Sequence, residues 1–297
     1  MTADNSGNPA TISAQFGARP RDDELDLFGI THVGKVRKEN QDHFLIATVH
    51  PQLVIHETSL PDPDALSGRG TRLASLMLVA DGVGGSTGGR EASQLAIESI
   101  MRYVSGSLRC YSAAGALNEE EFTNALRAAA LEAHSAVRKE ASHQIAASKM
   151  ATTLTLFIAV WPWAYVVQVG DSRCYYYHSG KLRQLTRDQT IGQDLVDQGV
   201  LAPERLAKSP FSNVLASAIG AEEVLPEVTK LKLHDGKGLF LMCSDGLTKH
   251  VTDAEIAAEL GNLETSEKTC HTLLEMALER GGTDNITVLL ARAKQTP

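Results

Sequence analysis

Residues Thr152 to Thr186 read TTLTLFIAVWPWAYVVQVGDSRCYYYHSGKLRQLT. Within them lie two pairs of apolar, β-branched and aromatic runs, each pair joined by a short turn. Trp161-Pro162-Trp163 makes the first turn and Ser179-Gly180 the second. Runs of that composition and length read as strands. Connections so tight can join only antiparallel neighbours, because a parallel pair needs a crossover of a dozen residues or more. The stretch therefore predicts consecutive hairpins and argues against a doubly wound parallel sheet.

The flanking sequence extends this reading in both directions. Toward the N-terminus, FGITHVG (28–34), HFLIATV (43–49) and LASLMLVA (73–80) read as strands, the last buried on both faces. Ala92, Leu95, Ala96, Ile100, Val104 and Leu108 then recur at helical spacing. A second helix follows from an N-cap near Asn118, through Phe122, Leu126, Ala129, Ala133 and Val137. Toward the C-terminus, TKLKL and LFLMCS read as strands, and Thr252 with Glu255 forms a capping box that opens a helix. Another helix, Ser266 to Arg280, stops at Gly281-Gly282 before a last strand, ITVLLAR. Residues 188 to about 225 break the rhythm with short helical pieces, IGQDLVDQG and PERLA. Residues 1 to about 25 are rich in Ala, Ser, Asn, Gly and Asp without periodicity and predict a flexible tail. Strands in hairpins with segregated helices make an α+β fold.

Composition narrows the function. The chain has 297 residues, with 28 Lys and Arg against 36 Asp and Glu and a net charge of −8. Such a chain is unsuited to gripping nucleic acid or anionic lipid by bulk charge, so neither partner is expected. Four scattered cysteines with no CxxC pair speak against a zinc site and suit a reducing compartment. With neither a secretory leader nor an apolar stretch of membrane-spanning length, a cytoplasmic protein is expected.

The chemistry-bearing feature is a set of aspartates at strand ends. Asp42 precedes HFLIATV, Asp81 follows SLMLVA, Asp245 follows LFLMCS, and Asp284 precedes ITVLLAR. Each sits beside Gly or Asn, where the backbone turns sharply enough to bring a short carboxylate into a shared cleft. One Asp-Gly is usually a plain turn. Several such carboxylates cannot gather unless hard cations neutralise them. Oxygen-only ligation suits Mg²⁺ or Mn²⁺. Two such ions about 4 Å apart would acidify a bridging water and brace an in-line displacement at phosphorus. Arg37, five positions before Asp42, is either a solvated surface cation or a clamp for two phosphate oxygens at the rim of that cleft. The glycines at 82, 84 and 88 resemble a dinucleotide-binding turn. Asp81 would oppose a pyrophosphate there, and no acidic residue ends a second strand about 20 residues on.

Taken together, GKVRKENQD, VADGVGGSTGGREAS, MATTL, VGDSR with LTRDQT, CSDGL and TDNITV resemble the metal-dependent serine/threonine protein phosphatases of the type 2C (PPM) class in their bacterial form. The segments occur in that family's order from Gly34 to Thr287. The resemblance implies a four-layer αββα sandwich of two antiparallel sheets flanked by helices, with one catalytic domain over 26–297 and a flap at about 188–225. It further implies two Mn²⁺ or Mg²⁺ ions held by Asp42, Asp81, Asp245, Asp284 and the Gly82 carbonyl, with Asp81 bridging. Arg37 would bind the substrate phosphate. Metal-activated water would attack phosphoserine or phosphothreonine on proteins directly, without a phosphoenzyme, and the natural partners are a Ser/Thr kinase and its targets. Ser148 stands where many bacterial members carry an aspartate for a third ion, so a third ion is expected to be absent or weakly held. Ala151 replaces a usual glycine. Val83 stands where eukaryotic relatives have a histidine, and no general acid is assigned.

Other residues have plainer readings. Asp171 in VGDSR is either a further ligand or, more simply, a turn residue bonding nearby backbone, and Asn40 and Gln41 read as residues that orient ligands. His43 reads as structural and Cys174 and Cys243 as core thiols. Two other functions remain in view: a non-catalytic scaffold on the same fold, which should bind no metal, and a metal-dependent phosphodiesterase, which the negative charge disfavours.

Overall fold

The computed structural model describes residues 19–53, 68–83, 88–113, 119–143, 150–233 and 238–294. Ser148, the expected N-cap at Asn118 and residues 1–18 of the expected tail lie outside these. In chain order the main elements are β1 (Leu25–His32), β2 (His43–Val49), β3 (Ala74–Ala80), α1 (Gly88–Ala113) and α2 (Glu119–His143). Then come β4 (Leu154–Val160), β5 (Trp163–Val169), β6 (Arg173–His178), β7 (Lys181–Gln184) and α3 (Ile191–Asp197). The chain closes with β8 (Glu227–Lys232), β9 (Leu239–Cys243), α4 (Asp245–Thr248), α5 (Asp253–Gly261), α6 (Ser266–Glu279) and β10 (Ile286–Ala293).

The strands form two sheets, ordered β1-β10-β9-β6-β7 and β8-β5-β4-β3-β2, with every neighbouring pair antiparallel. Both expected hairpins are present, β4–β5 and β6–β7. Ser179 and Gly180 turn the second with φ of 51° and 77°. That left-handed pair matches the twist of the flanking strands.

Alternation along the strands builds three apolar layers. Leu76, Leu78 and Ala80 of β3 pack with Ala92, Ala96 and Ile100 of α1 and Phe122 and Leu126 of α2. Met77 and Val79, the intervening residues, meet Phe240, Met242 and Leu289 between the sheets. Leu241 and Cys243 of β9 face the opposite way, onto Leu273, Leu274 and Ala277 of α6. The result is the αββα sandwich. Tyr175 and Tyr177 lie on the helix side and Tyr176 between the sheets, and Cys174 and Cys243 are buried and unpaired.

Two boundaries differ from expectation. The last residues of the expected tail, Asp22–Glu24, form a 3₁₀ turn leading directly into β1. Arg72 draws them onto the fold, because its buried guanidinium needs anionic partners. It donates to Asp22 Oδ1 at 2.5 Å and to the Pro20 carbonyl at 2.6 Å. The first helix starts and ends further out than the 91–108 pattern. The 188–225 segment carries α3, capped by Thr190, and a 3₁₀ turn at Pro203–Lys208.

Candidate active site

The strand register explains how residues distant in sequence meet. His43 of β2 pairs with Ala80 of β3, so Asp42, one residue before, and Asp81, one residue after, leave the sheet at the same end. On the other sheet Cys243 pairs with both Arg173 and Val288. Asp245, Asp171 and Asp284 therefore leave β9, β6 and β10 at a common end. Gly34, at φ +82°, lets the segment after β1 lie against residues 282–284, where a Cβ would strike the Asp284 carbonyl. Lys35 N–H donates to the Gly282 carbonyl at 2.7 Å. That contact brings Arg37 to Asp284.

A cavity of about 740 Å³ opens here, lined among others by Arg37, Asp81, Gly82, Asp171, Asp245, Lys249 and Asp284. Five of the expected site residues share it. Asp42 is not one of its walls. It is recessed and 3% exposed, and its Oδ2 accepts from Ser244 Oγ and Thr287 Oγ1, each at 2.7 Å. Behind Thr287 the hydroxyl of Thr31 lies at 2.8 Å, and Asn40 Nδ2 donates to Thr31 at 2.9 Å. Asn40 thus reaches Asp42 through a two-hydroxyl relay. A chain of donors pointing one way strengthens each link and favours the ionised carboxylate.

The remaining donor set fits a hard cation. Asp42 Oδ1 and Asp245 Oδ1 are buried without any hydrogen-bond partner, an expensive condition for carboxylate oxygens unless something else coordinates them. Asp81 offers its carboxylate to the cavity while its backbone is fastened. Its N–H donates to Thr153 Oγ1 and its carbonyl accepts from Thr152 Oγ1 and Thr153 N–H. Gly82 lies so close to Gly89 at the start of α1 that a Cβ would collide with the Gly89 carbonyl. Among the described residues no three acidic, histidine or cysteine side chains form a finished metal cluster. Two cations instead hold part of the set. Arg37 makes a two-pronged pair with Asp284, 2.7 Å from Nε to Oδ1 and 2.9 Å from Nη2 to Oδ2. Lys249 Nζ lies 2.6 Å from Asp245 Oδ2 and 2.8 Å from Asp284 Oδ2.

Proton affinities report the crowding. Burial, then Asp42, Asp245, Asp171 and Asp284 in turn, push Asp81 well above the usual carboxylate range. Burial raises Asp42 to about 6 against the pull of its two hydroxyl donors. Burial and the neighbouring Asp245 and Asp188 raise Asp171 to about 8. Burial also raises Asp245, although Lys249 opposes it. Asp284 alone goes down: burial works against its charge, but hydrogen bonds from Arg37 and Lys249 outweigh it.

Several of these residues do more than their local sequence foretells. Asp171 occupies the expected turn between β5 and β6, yet it is 8% exposed and forms part of the cavity wall; turn chemistry is local and did not foretell that wall. Lys249 is one helical turn after Asp245, a spacing readable in CSDGLTK. Asn285 stitches the Arg37 segment in place. Its Nδ2 donates to the carbonyls of Val33 and Glu39 and its Oδ1 accepts from Gln41 N–H, each at 2.9 Å. His43 bonds Ser93 Oγ at 2.8 Å and lines no part of the cavity.

Comparison with known proteins agrees with this fold. The Protein phosphatase 2C family profile matches residues 56–286. The serine/threonine protein phosphatase PstP of Mycobacterium tuberculosis is 34% identical over 222 residues, covering 73% of this chain and 40% of PstP. The chain thus spans about two fifths of that relative's length. The serine/threonine phosphatase stp of Listeria monocytogenes is 31% identical over 221 residues, 74% of this chain and 85% of stp. The crystal structure of the PstP catalytic domain in complex with two manganese ions superposes with a TM-score of 0.69 at 28% identity. It covers 91% of this chain and 99% of that one.

Proposed function

Because the chain belongs to the protein phosphatase 2C family, we propose that it is a metal-dependent phosphatase removing phosphate from phosphoserine and phosphothreonine on proteins. The observation that carries the reading is the pair of buried, unpartnered carboxylate oxygens, Asp42 Oδ1 and Asp245 Oδ1, beside a carboxylate-lined cavity rimmed by Arg37. Asp42, from its recess, Asp81, Asp245, Asp284 and the Gly82 carbonyl would hold two Mn²⁺ or Mg²⁺ ions. The two manganese ions in the PstP structure support a count of two. When bound, such a pair lowers the pKa of a water and draws charge from the phosphoryl oxygens.

The chain's own residues supply the rest. Arg37 offers a planar two-donor fork to the non-bridging oxygens of the phosphate once it lets go of Asp284. Asn285 holds the segment carrying Arg37, fixing the approach of the phosphate relative to the carboxylates. The relay from Asn40 to Asp42 opposes the upward push that burial gives the recessed carboxylate. In the reaction, water oxygen bonds to phosphorus, the phosphorus–oxygen bond to the serine or threonine breaks, and the released oxygen takes a proton. No protein nucleophile is needed, so no phosphoenzyme forms.

Phosphorylated side chains arise by kinase action, so the substrates are the targets of a Ser/Thr kinase, met in the cytoplasm. Among the described residues no helix is long and apolar enough to cross a membrane. Residues 26–297 act as one catalytic domain, a reading supported by the pairing of β1 with β10, the first and last strands. Hydrolysis of p-nitrophenyl phosphate and of a phosphothreonine peptide, with Mn²⁺ and with EDTA, tests the proposal. Activity should vanish on chelation and in Asp245→Ala. Activity surviving either treatment overturns the reading.

A further inference from the structure

Among the described residues, Lys249 is the cation of the cavity wall that touches two of the proposed ligands at once. Its ammonium bridges Asp245 Oδ2 and Asp284 Oδ2 at 2.6 and 2.8 Å, and its side chain is 25% exposed. Arg37 differs: it pairs with Asp284 alone and is 52% exposed, where solvent screens an ion pair. Helix geometry fixes Lys249 in place, since it follows Asp245 by four residues at the end of α4.

We propose that Lys249 is a built-in competitor for the divalent ions, neutralising Asp245 and Asp284 in the metal-free protein and withdrawing when metal arrives. The inference rests on the metal-dependent reading above. Two physical points carry it. Lys249 holds one oxygen of each of two proposed ligand carboxylates, and Asp245 Oδ1 is left without a partner, so at Asp245 the lysine satisfies half of what a metal would. An ammonium and a divalent ion also repel at contact distance, so each weakens the hold of the same two carboxylates on the other. The consequence is a site that stays intact without metal and binds it less tightly than its carboxylates alone would allow. Occupancy, and with it activity, would then follow the divalent cation supply.

The test uses the full chain stripped with EDTA, titrated with Mn²⁺ by calorimetry and melted with and without the ion. Lys249→Met keeps the length of the side chain and removes the charge. It should bind Mn²⁺ at least tenfold more tightly than wild type and melt at a lower temperature in EDTA. Lys249→Arg, which keeps the charge, should stay within about threefold of wild-type affinity. A Lys249→Met protein with unchanged or weaker affinity overturns the proposal, as does equal tightening in Lys249→Arg. If wild type itself binds no Mn²⁺, the phosphatase reading fails, a distinguishable result. A second measurement needs no variant: acylation of wild-type lysines read by mass spectrometry. Lys249 should be protected in EDTA and reactive with Mg²⁺, and equal or greater reactivity in EDTA contradicts its withdrawal.

Discussion

Asp171→Asn should make the metal-free protein more stable, and by an amount that depends on pH. The carboxyl is almost fully buried among other acids, and its pKa rises from 3.8 to about 8 on folding. A group whose folded pKa is raised binds more protons in the native state than in the unfolded one, so stability is lost as pH climbs from about 4 toward 8. Each pH unit in that window is worth about 1.4 kcal/mol. At pH 7 the accumulated cost approaches ~4 kcal/mol as an upper bound, reduced by local relaxation and water entry to ~2 kcal/mol. Asparagine has nearly the same shape and no charge to suppress, so it escapes this cost. For a domain of this size ~2 kcal/mol corresponds to a rise in melting temperature of about 4–8 °C. Calorimetric melts in EDTA at pH 4.5 and pH 8 provide the assay. A rise at pH 8 that disappears at pH 4.5 is the expected result. No rise at pH 8 refutes the electrostatic argument, and an equal rise at both pH values would assign the effect to packing.

Three further substitutions probe other parts of the site. Arg37→Ala should raise KM for a phosphopeptide by about tenfold or more, the worth of a lost two-donor phosphate contact, while Mn²⁺ affinity measured by calorimetry does not fall. Thr287→Val removes one hydroxyl donor from Asp42 and should cost about 1.5–3 kcal/mol in urea unfolding at neutral pH, whereas a wild-type midpoint would mean the relay does not support that carboxylate. Gly82→Ala drives a methyl into the Gly89 carbonyl and should reduce phosphatase activity at least a hundredfold; an active Gly82→Ala enzyme would show that the close approach to α1 is dispensable.

Much of the sandwich could be read locally. The hairpins around Trp161–Trp163 and Ser179-Gly180, the helical periods from Ala92 to Val104 and from Phe122 to Val137, and the capping box at Thr252 are short-range signals, and each appears in the fold. The order of strands within the sheets is another matter. β1 pairs with β10, Leu25 opposite Ala293, and no local pattern encodes a partner more than 250 residues away. The same distinction governs the site. Aspartates at strand ends stood out because a carboxylate beside Gly or Asn is visible in a few residues. The recess of Asp42 behind the cavity was hidden, since it depends on Ser244 and Thr287 arriving from the other sheet. The place of Asp171 in the cavity wall is hidden for a related reason: its turn is local, whereas the cavity it faces is assembled from β3, β9 and β10.

The central claim is that Asp81, Asp245 and Asp284, backed by Asp42, gather two divalent ions. Anomalous diffraction from crystals of the full chain soaked in Mn²⁺, collected at the manganese edge, tests it most directly. The account predicts two peaks in the cavity, both within ligand distance of Asp81, with Asp245 and Asp284 on one of them. Crystals showing no manganese at these carboxylates, or a single ion away from Asp81, would contradict it.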